Sequence, residues 1–291
     1  MTPRSNSASH SAPRTTPHTT PPTTPSADHL LAIALEAARA AAAVIRDAAP
    51  RVRSIEWRTK RPADFVSEVD LAAEATILAI VHGHVPDAGI LAEESASTLA
   101  TERRDDGVVF VIDPLDGTTN FLHGYPEYAV SIGVLADGVP TAAVIVEVAL
   151  DETYTATAGG GAFVDGRPIR VSPIDDPARA LIGTGFPFSR IEEVDPYARQ
   201  LTRVMKGAAG VRRAGAAALD LAAVAAGRFE AFWETVLSPW DIAAGLLLVR
   251  EAGGIATDLS GAPCPVARTG IVAGNPRIHA WLLECIHDNH E

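Results

Sequence analysis

Between Val108 and Phe121 the sequence reads VVFVIDPLDGTTNF, and few folds accommodate an apolar run that ends so abruptly in acid. Val108 to Ile112 have the β-rich, apolar character of a short buried strand, and the run stops at Asp113. Pro114 fixes its own φ and biases Asp113 toward an extended conformation, which predicts a tight turn carrying Asp113 and Asp116 at the strand's carboxyl end. Gly117 then lets the backbone bend closely. Thr118, Thr119 and Asn120 follow, and a helical turn starting there would aim unpaired N–H groups at a phosphate. An ordinary turn favours many of the same residues; the strand feeding straight into it weighs for a site.

Four other acidic residues stand where an element ends or begins. Ile90-Leu91-Ala92 runs into Glu93 and Glu94, which are expected to meet Asp113 and Asp116 where neighbouring strands finish. In KRPADFVSEVDLAAEATILAIV, Asp70 precedes the helical pattern of Leu71, Ala75, Ile77 and Leu78 and is well placed as an N-cap. Lys60 nearby reads equally as a surface charge and as an electrostatic contributor. In PWDIAAGLLLVREAGG, Trp240 and Asp241 open a helix that Gly253-Gly254 ends. Asp241 alone would be a charge favoured by the helix dipole. Four carboxylates packed together repel one another unless cations are bound, and oxygen-only donors suit magnesium.

DPLDGTTNF, the DFVSEVD segment ending at Asp70 and the Trp240-Asp241 pair resemble the motifs of the inositol monophosphatase family of magnesium-dependent, lithium-sensitive phosphatases. The resemblance runs from about residue 28 to the C-terminus. It implies an α/β (α+β) fold, a layered αβαβα sandwich with a largely antiparallel sheet in residues 28–174 and a smaller α/β half in 175–291. It assigns Glu93, Asp113 and the Leu115 carbonyl to a first Mg2+, and Asp113, Asp116 and Asp241 to a second. Glu93 and Thr118 would activate the attacking water, with Asp70 holding Thr118. Asp116, Gly117, Thr118 and Asp241 would contact the substrate, and the backbone at Ala217 and the side chain of Glu234 would face its hydroxyls. One departure is Ala92, where a glycine is usual. Thr119-Asn120 after Gly-Thr favours an inositol monophosphatase over the branches that carry Lys or Arg there. Histidinol-phosphate phosphatase and a broad sugar-phosphate phosphatase are the enzymatic alternatives, and a regulatory binding protein on the same fold is the non-enzymatic one. The resemblance also implies a homodimer.

The net charge of −12, without a long basic run, argues against nucleic acid as a partner, so an anionic substrate must be drawn in locally, by cations. Cys264 and Cys285, the only cysteines, lack metal-ligand spacing and predict a reduced cytoplasm, and no apolar stretch reaches the length of a membrane span. Residues 1 to 27, rich in Ser, Thr and Pro, predict a disordered tail in which His10 and His18 are merely solvated. An alanine-rich helix is expected from Asp28 to Ala49, with Leu31, Leu35, Ala38 and Ala42 on one side, and a buried helix from Ala216 to Ala226. Asp137-Gly138 and Asp165-Gly166 mark hairpins, and Gly159-Gly160-Gly161 reads as an ordinary turn.

Overall fold

Alternation along the strands decides which helices each sheet can bury. In the computed structural model, residues 25–61, 64–95, 107–188 and 190–287 are described. The tail up to residue 24, with His10 and His18, lies outside them. The chain begins with α1 (Ala27–Ala48), the hairpin β1 (Trp57–Arg61) and β2 (Asp64–Ser67), and α2 (Glu68–His84). Next come β3 (Gly89–Ala92), β4 (Val108–Asp116), a short α3 (Thr118–Leu122), β5 (Ala129–Ala136), β6 (Val139–Glu147), β7 (Glu152–Thr157), β8 (Gly161–Val164) and β9 (Arg167–Pro168). The remainder is β10 (Leu181–Thr184), α4 (Val194–Gly207), β11 (Gly210–Arg212), α5 (Ala217–Ala225), β12 (Ala231–Leu237), α6 (Pro239–Glu251), β13 (Ile255–Thr257), β14 (Thr269–Gly274) and α7 (Pro276–His287).

Strands β3 to β9 form one seven-stranded sheet in sequence order, antiparallel except for β3 beside β4. Asp137-Gly138 and Asp165-Gly166 turn with positive φ at both residues, as the tightest hairpins require. The second sheet has the order β11-β10-β12-β14-β13 and mixes parallel and antiparallel pairs.

Val130, Ile132 and Val134 of β5 face α1 and α2, whereas Ala143 and Ile145 of β6 point the other way, into the layer of α5 and α6. From the second sheet, Phe232 and Ile271 enter that same middle layer, while Trp233 and Val272 pack outward with α4 and α7. The result is five layers, αβαβα, with a core on each side of each sheet. Each fully buried large side chain, such as Phe110 or Ile132, contributes about 1.5–3 kcal/mol. The buried face of α1 runs through Leu30, Ile33, Ala34, Ala37 and Ala41, so Leu31 and Leu35 lie at its margin.

Gly133 on β5 faces Ala243 of α6 so closely that a Cβ there would overlap the Ala243 side chain. This close approach brings the start of α6, and Asp241 with it, onto the strand next to β4. Among the described residues, no helix is long and apolar enough to cross a membrane.

Candidate active site

Parallel pairing of β3 with β4 sets Ala92 opposite Ile112, and the Glu93 N–H donates to the Ile112 carbonyl at 3.1 Å. Glu93 is therefore level with Asp113. The tight turn expected after Ile112 does not occur. Strand β4 continues through Asp113-Pro114-Leu115-Asp116, pairing Asp113 with Ser131 and Asp116 with Ala129, so three steps on β4 match two on β5. The extra residue is a bulge, a device that re-aims side chains at a sheet's rim and leaves an unpaired position for the N–H that proline lacks. Gly117 then adopts a left-handed conformation with φ 87°, and a Cβ on it would overlap the Glu127 carbonyl. It caps α3, whose first N–H groups have no intrahelical partner.

Asp70 is not the N-cap of α2. Ser67 holds that place, and Asp70, three residues on, closes a capping box in which the Ser67 N–H donates to its Oδ2 at 2.9 Å. The other oxygen of Asp70 accepts the Thr118 hydroxyl at 2.8 Å, and that hydroxyl also lies 3.0 Å from the Leu115 carbonyl. A single hydroxyl proton serves these two acceptors, so the lone pairs of Thr118 are left for the cleft. Asp241 occupies the corresponding position at α6, accepting the Ser238 N–H at 2.7 Å.

Asp116 is held from the other half of the chain. The Ala218 N–H donates to its Oδ2 at 2.8 Å, and the Ala217 N–H reaches the same carboxylate. The backbone around Ala217, expected to face substrate, thus lies beside Asp116. A cleft of about 390 Å³ is lined by Glu93, Asp113, Leu115, Asp116, Gly117, Thr118 and Asp241, together with Phe65, Phe188, Arg213 and Gly215. Glu234 does not line it. Its carboxyl group is seated against Gly185, where a methyl would overlap it, and it stands within electrostatic reach of Asp116 and Arg213.

Burial, then Glu93, Asp116 and Asp241, hold Asp113 well above the usual carboxylate range. Burial pushes Asp116 up to about 7, although the Ala218 and Ala217 N–H groups favour its charge. Asp241 is raised by burial, Glu93 and Asp116. The donor set is all oxygen and short of positive charge, which suits a hard divalent cation. As the side chains stand, however, no three His, Cys, Asp or Glu among the described residues are arranged to hold an ion. Glu93 is turned to Lys60, whose ammonium lies 2.6 Å from Glu93 Oε1 and 3.0 Å from Glu94 Oε1. Burial opposes the charge of Lys60, but the two glutamates outweigh it and raise its pKa.

Sequence reasoning left Lys60 undecided and missed Arg213 and Phe188, whose ring lies 5.0 Å from the Arg213 guanidinium carbon. It also missed Asn120 as a brace: the side-chain amide donates to the carbonyls of Glu127 at 2.8 Å and Ala214 at 3.0 Å. The triple-glycine turn is occupied, since the Gly159 and Gly161 N–H groups donate to the two oxygens of Glu251.

Residues 26–291 match the model of the inositol monophosphatase family. A Pseudomonas aeruginosa protein named Nus factor SuhB is 45% identical over 259 residues, 88% of this chain and 95% of that one. An inositol-1-monophosphatase of Rhizobium meliloti is 45% identical over 235 residues, covering 81% and 87% of the two chains. Among solved structures, the extragenic suppressor protein suhB of Bartonella henselae superposes with a TM-score of 0.85 at 39% identity, over 90% of this chain and all of the other.

Proposed function

The chain belongs to the inositol monophosphatase family, and from that premise we propose that it is a magnesium-dependent phosphomonoesterase acting on myo-inositol monophosphate. The observation that carries this reading is Thr118, fixed between Asp70 and the Leu115 carbonyl at the mouth of a cleft lined by four carboxylates. Glu93, Asp113 and the Leu115 carbonyl would hold one magnesium ion, and Asp113, Asp116 and Asp241 a second, once Glu93 turns away from Lys60. Such cations supply positive charge to the phosphate oxygens and bring the acidity of a water close to neutral pH.

Thr118 accepts a hydrogen bond from the attacking water, because its own proton is already given to Asp70 or Leu115. Glu93 takes up that water's proton, and the N–H groups of Gly117 and Thr118 bind phosphate oxygens at the start of α3. Glu234 would accept hydroxyls of the polyol once its carboxyl group turns from Gly185 toward the cleft, with Arg213 balancing its charge. No covalent phosphoenzyme is needed. A cytoplasmic location and a homodimer are part of this reading.

Phosphate release from a panel of inositol, histidinol and sugar phosphates, with magnesium, with excess chelator and with lithium, tests it. The expected result is turnover of inositol monophosphate that chelation abolishes, magnesium restores and lithium inhibits. Full activity in excess chelator would overturn the metal assignment, and preference for histidinol phosphate the substrate. The relatives named Nus factor SuhB support a second reading, a role exerted through partner contacts rather than the cleft. A variant silent in phosphate release that still fulfilled such a role in cells would establish it.

A further inference from the structure

The buried face of α2 runs through Val69, Asp70, Ala73, Glu74, Ile77 and Val81, an apolar stripe at helical spacing interrupted by two acids. Asp70 is accounted for by the cap and by Thr118. Glu74, one turn further on and 5 % exposed, lies beyond the first turn, where the helix dipole would favour its charge. A carboxylate on a core stripe needs a donor. It has one in the Glu94 N–H, which donates to Glu74 Oε2 at 2.9 Å. Strand β3 is the edge of its sheet, so on the side away from β4 no strand among the described residues can take that N–H. Glu74 stands in for the missing strand.

Two consecutive N–H groups are therefore tied to different elements, that of Glu93 to the Ile112 carbonyl of β4 at 3.1 Å and that of Glu94 to α2. These bonds hold the backbone at Glu93 and leave its carboxyl group to turn about its own torsions, toward Lys60 as it stands, 2.6 Å from Oε1. The same face of α2 holds the Thr118 hydroxyl through Asp70 at 2.8 Å. We propose that Glu74 is a positioning residue for the reaction: through the Glu94 N–H it fixes the backbone from which the Glu93 carboxyl group swings between Lys60 and the cleft, and so sets the spacing of Glu93 and Thr118. The proposal rests on the reading of Glu93 as a magnesium ligand and proton acceptor.

Calorimetric magnesium titration, release of phosphate from myo-inositol 1-phosphate and thermal melting test it together. Glu74→Met fills similar space without an acceptor and leaves the Glu94 N–H unpaired. It is expected to weaken magnesium binding and to lower kcat, each by about tenfold, the value of one hydrogen bond to a charged group. Glu74→Gln, which keeps an acceptor oxygen, is expected to recover both to within about threefold of wild type. Ile77→Val, a truncation further along the same buried face, should lower the melting temperature and leave magnesium affinity and kcat within about twofold. An Ile77→Val variant that lost magnesium affinity as Glu74→Met does would overturn the proposal, since any loosening of α2 would then suffice. In a Glu93→Gln background, Glu74→Met should weaken magnesium binding by no more than about twofold further, and an undiminished loss there would equally overturn it. Should the Met variant not fold, Glu74→Asp, which keeps the charge but draws the acceptor back by one methylene, takes its place. Faster exchange of the Glu94 amide proton together with weaker magnesium binding supports the role, and faster exchange at wild-type affinity refutes it. Wild type that neither bound magnesium nor released phosphate would defeat the phosphatase reading itself, whereas amide exchange still judges the hold of Glu74 on Glu94.

Discussion

The starts of α2 and α6 are built alike and used differently. Each has a serine at the cap and an aspartate three residues later whose Oδ2 accepts the serine N–H, from Ser67 to Asp70 and from Ser238 to Asp241. At α2 the second oxygen of Asp70 is taken by Thr118, and the carboxyl group is 1 % exposed. At α6 the carboxyl group of Asp241 lines the cleft. One local motif thus anchors two carboxylates through the same backbone bond, and the surroundings make one a holder of a side chain and the other a candidate ligand. The capping bond is what keeps Asp241 from swinging out of a crowd of like charges, so local helix chemistry is here a component of the site.

The largest expected effect separates the two aspartates by charge. Asp241→Asn retains an oxygen to accept the Ser238 N–H and removes only the negative charge. Phosphate release is expected to fall by about 10²-fold or more, with weakened magnesium binding by calorimetry and an unchanged or higher melting temperature. A variant that lost stability and kept turnover would make Asp241 a mere cap. Thr118→Ala breaks the contact that distinguishes Asp70 and removes a single orienting hydroxyl. Turnover is expected to drop by roughly 10²-fold while magnesium affinity stays normal, and wild-type turnover would refute the positioning of water by Thr118.

The caps themselves sharpen the comparison by a smaller amount. Ser67→Ala deletes a side chain that both bonds Asp70 and accepts the Val69 N–H at 3.1 Å, and about 1 kcal/mol of stability should go with it. Both variants keep the backbone N–H that the aspartate uses, but only Ser67 also bonds its aspartate through the hydroxyl, so the loss by thermal melting for Ser238→Ala should be clearly less. The last test is pH. Asp113, Asp116 and Asp241 have pKa values raised on folding, so their contribution is fully present below the ordinary carboxylate range and is lost as pH rises through the folded values, about 7 for Asp116. Metal-free protein should therefore melt lower at pH 8 than at pH 5. Magnesium should narrow that gap, and so, by a smaller step, should Asp241→Asn.

How far the sequence discloses such a site depends on whether the cause is local. Glu93 beside Asp113 is legible because two apolar runs each end in acid and parallel pairing aligns their ends. The bulge at Asp113-Pro114-Leu115-Asp116 is not, since it is defined only by the count of residues on β5. Asp70 was expected as the cap because it precedes the apolar pattern; Ser67 prevails because its hydroxyl can accept the Val69 N–H while its own N–H is returned to Asp70. Lys60 reaches Glu93 from a polar hairpin strand in which Trp57 to Lys60 are all exposed, with no alternation of burial.

The grip of α5 on Asp116 has a consequence for how the site comes into being. The acidic signature from Asp113 to Asn120 is synthesised early, yet the Ala218 N–H that orients one of its carboxylates is 102 residues away in the chain, and the Asp241 carboxylate arrives later still. A nascent chain that has completed only the seven-stranded sheet displays the whole signature without its far wall. Exchange of the Ala218 amide proton with solvent is consequently a reporter of maturation: it should slow only when the second sheet has docked, at the same moment that tight cation binding first appears.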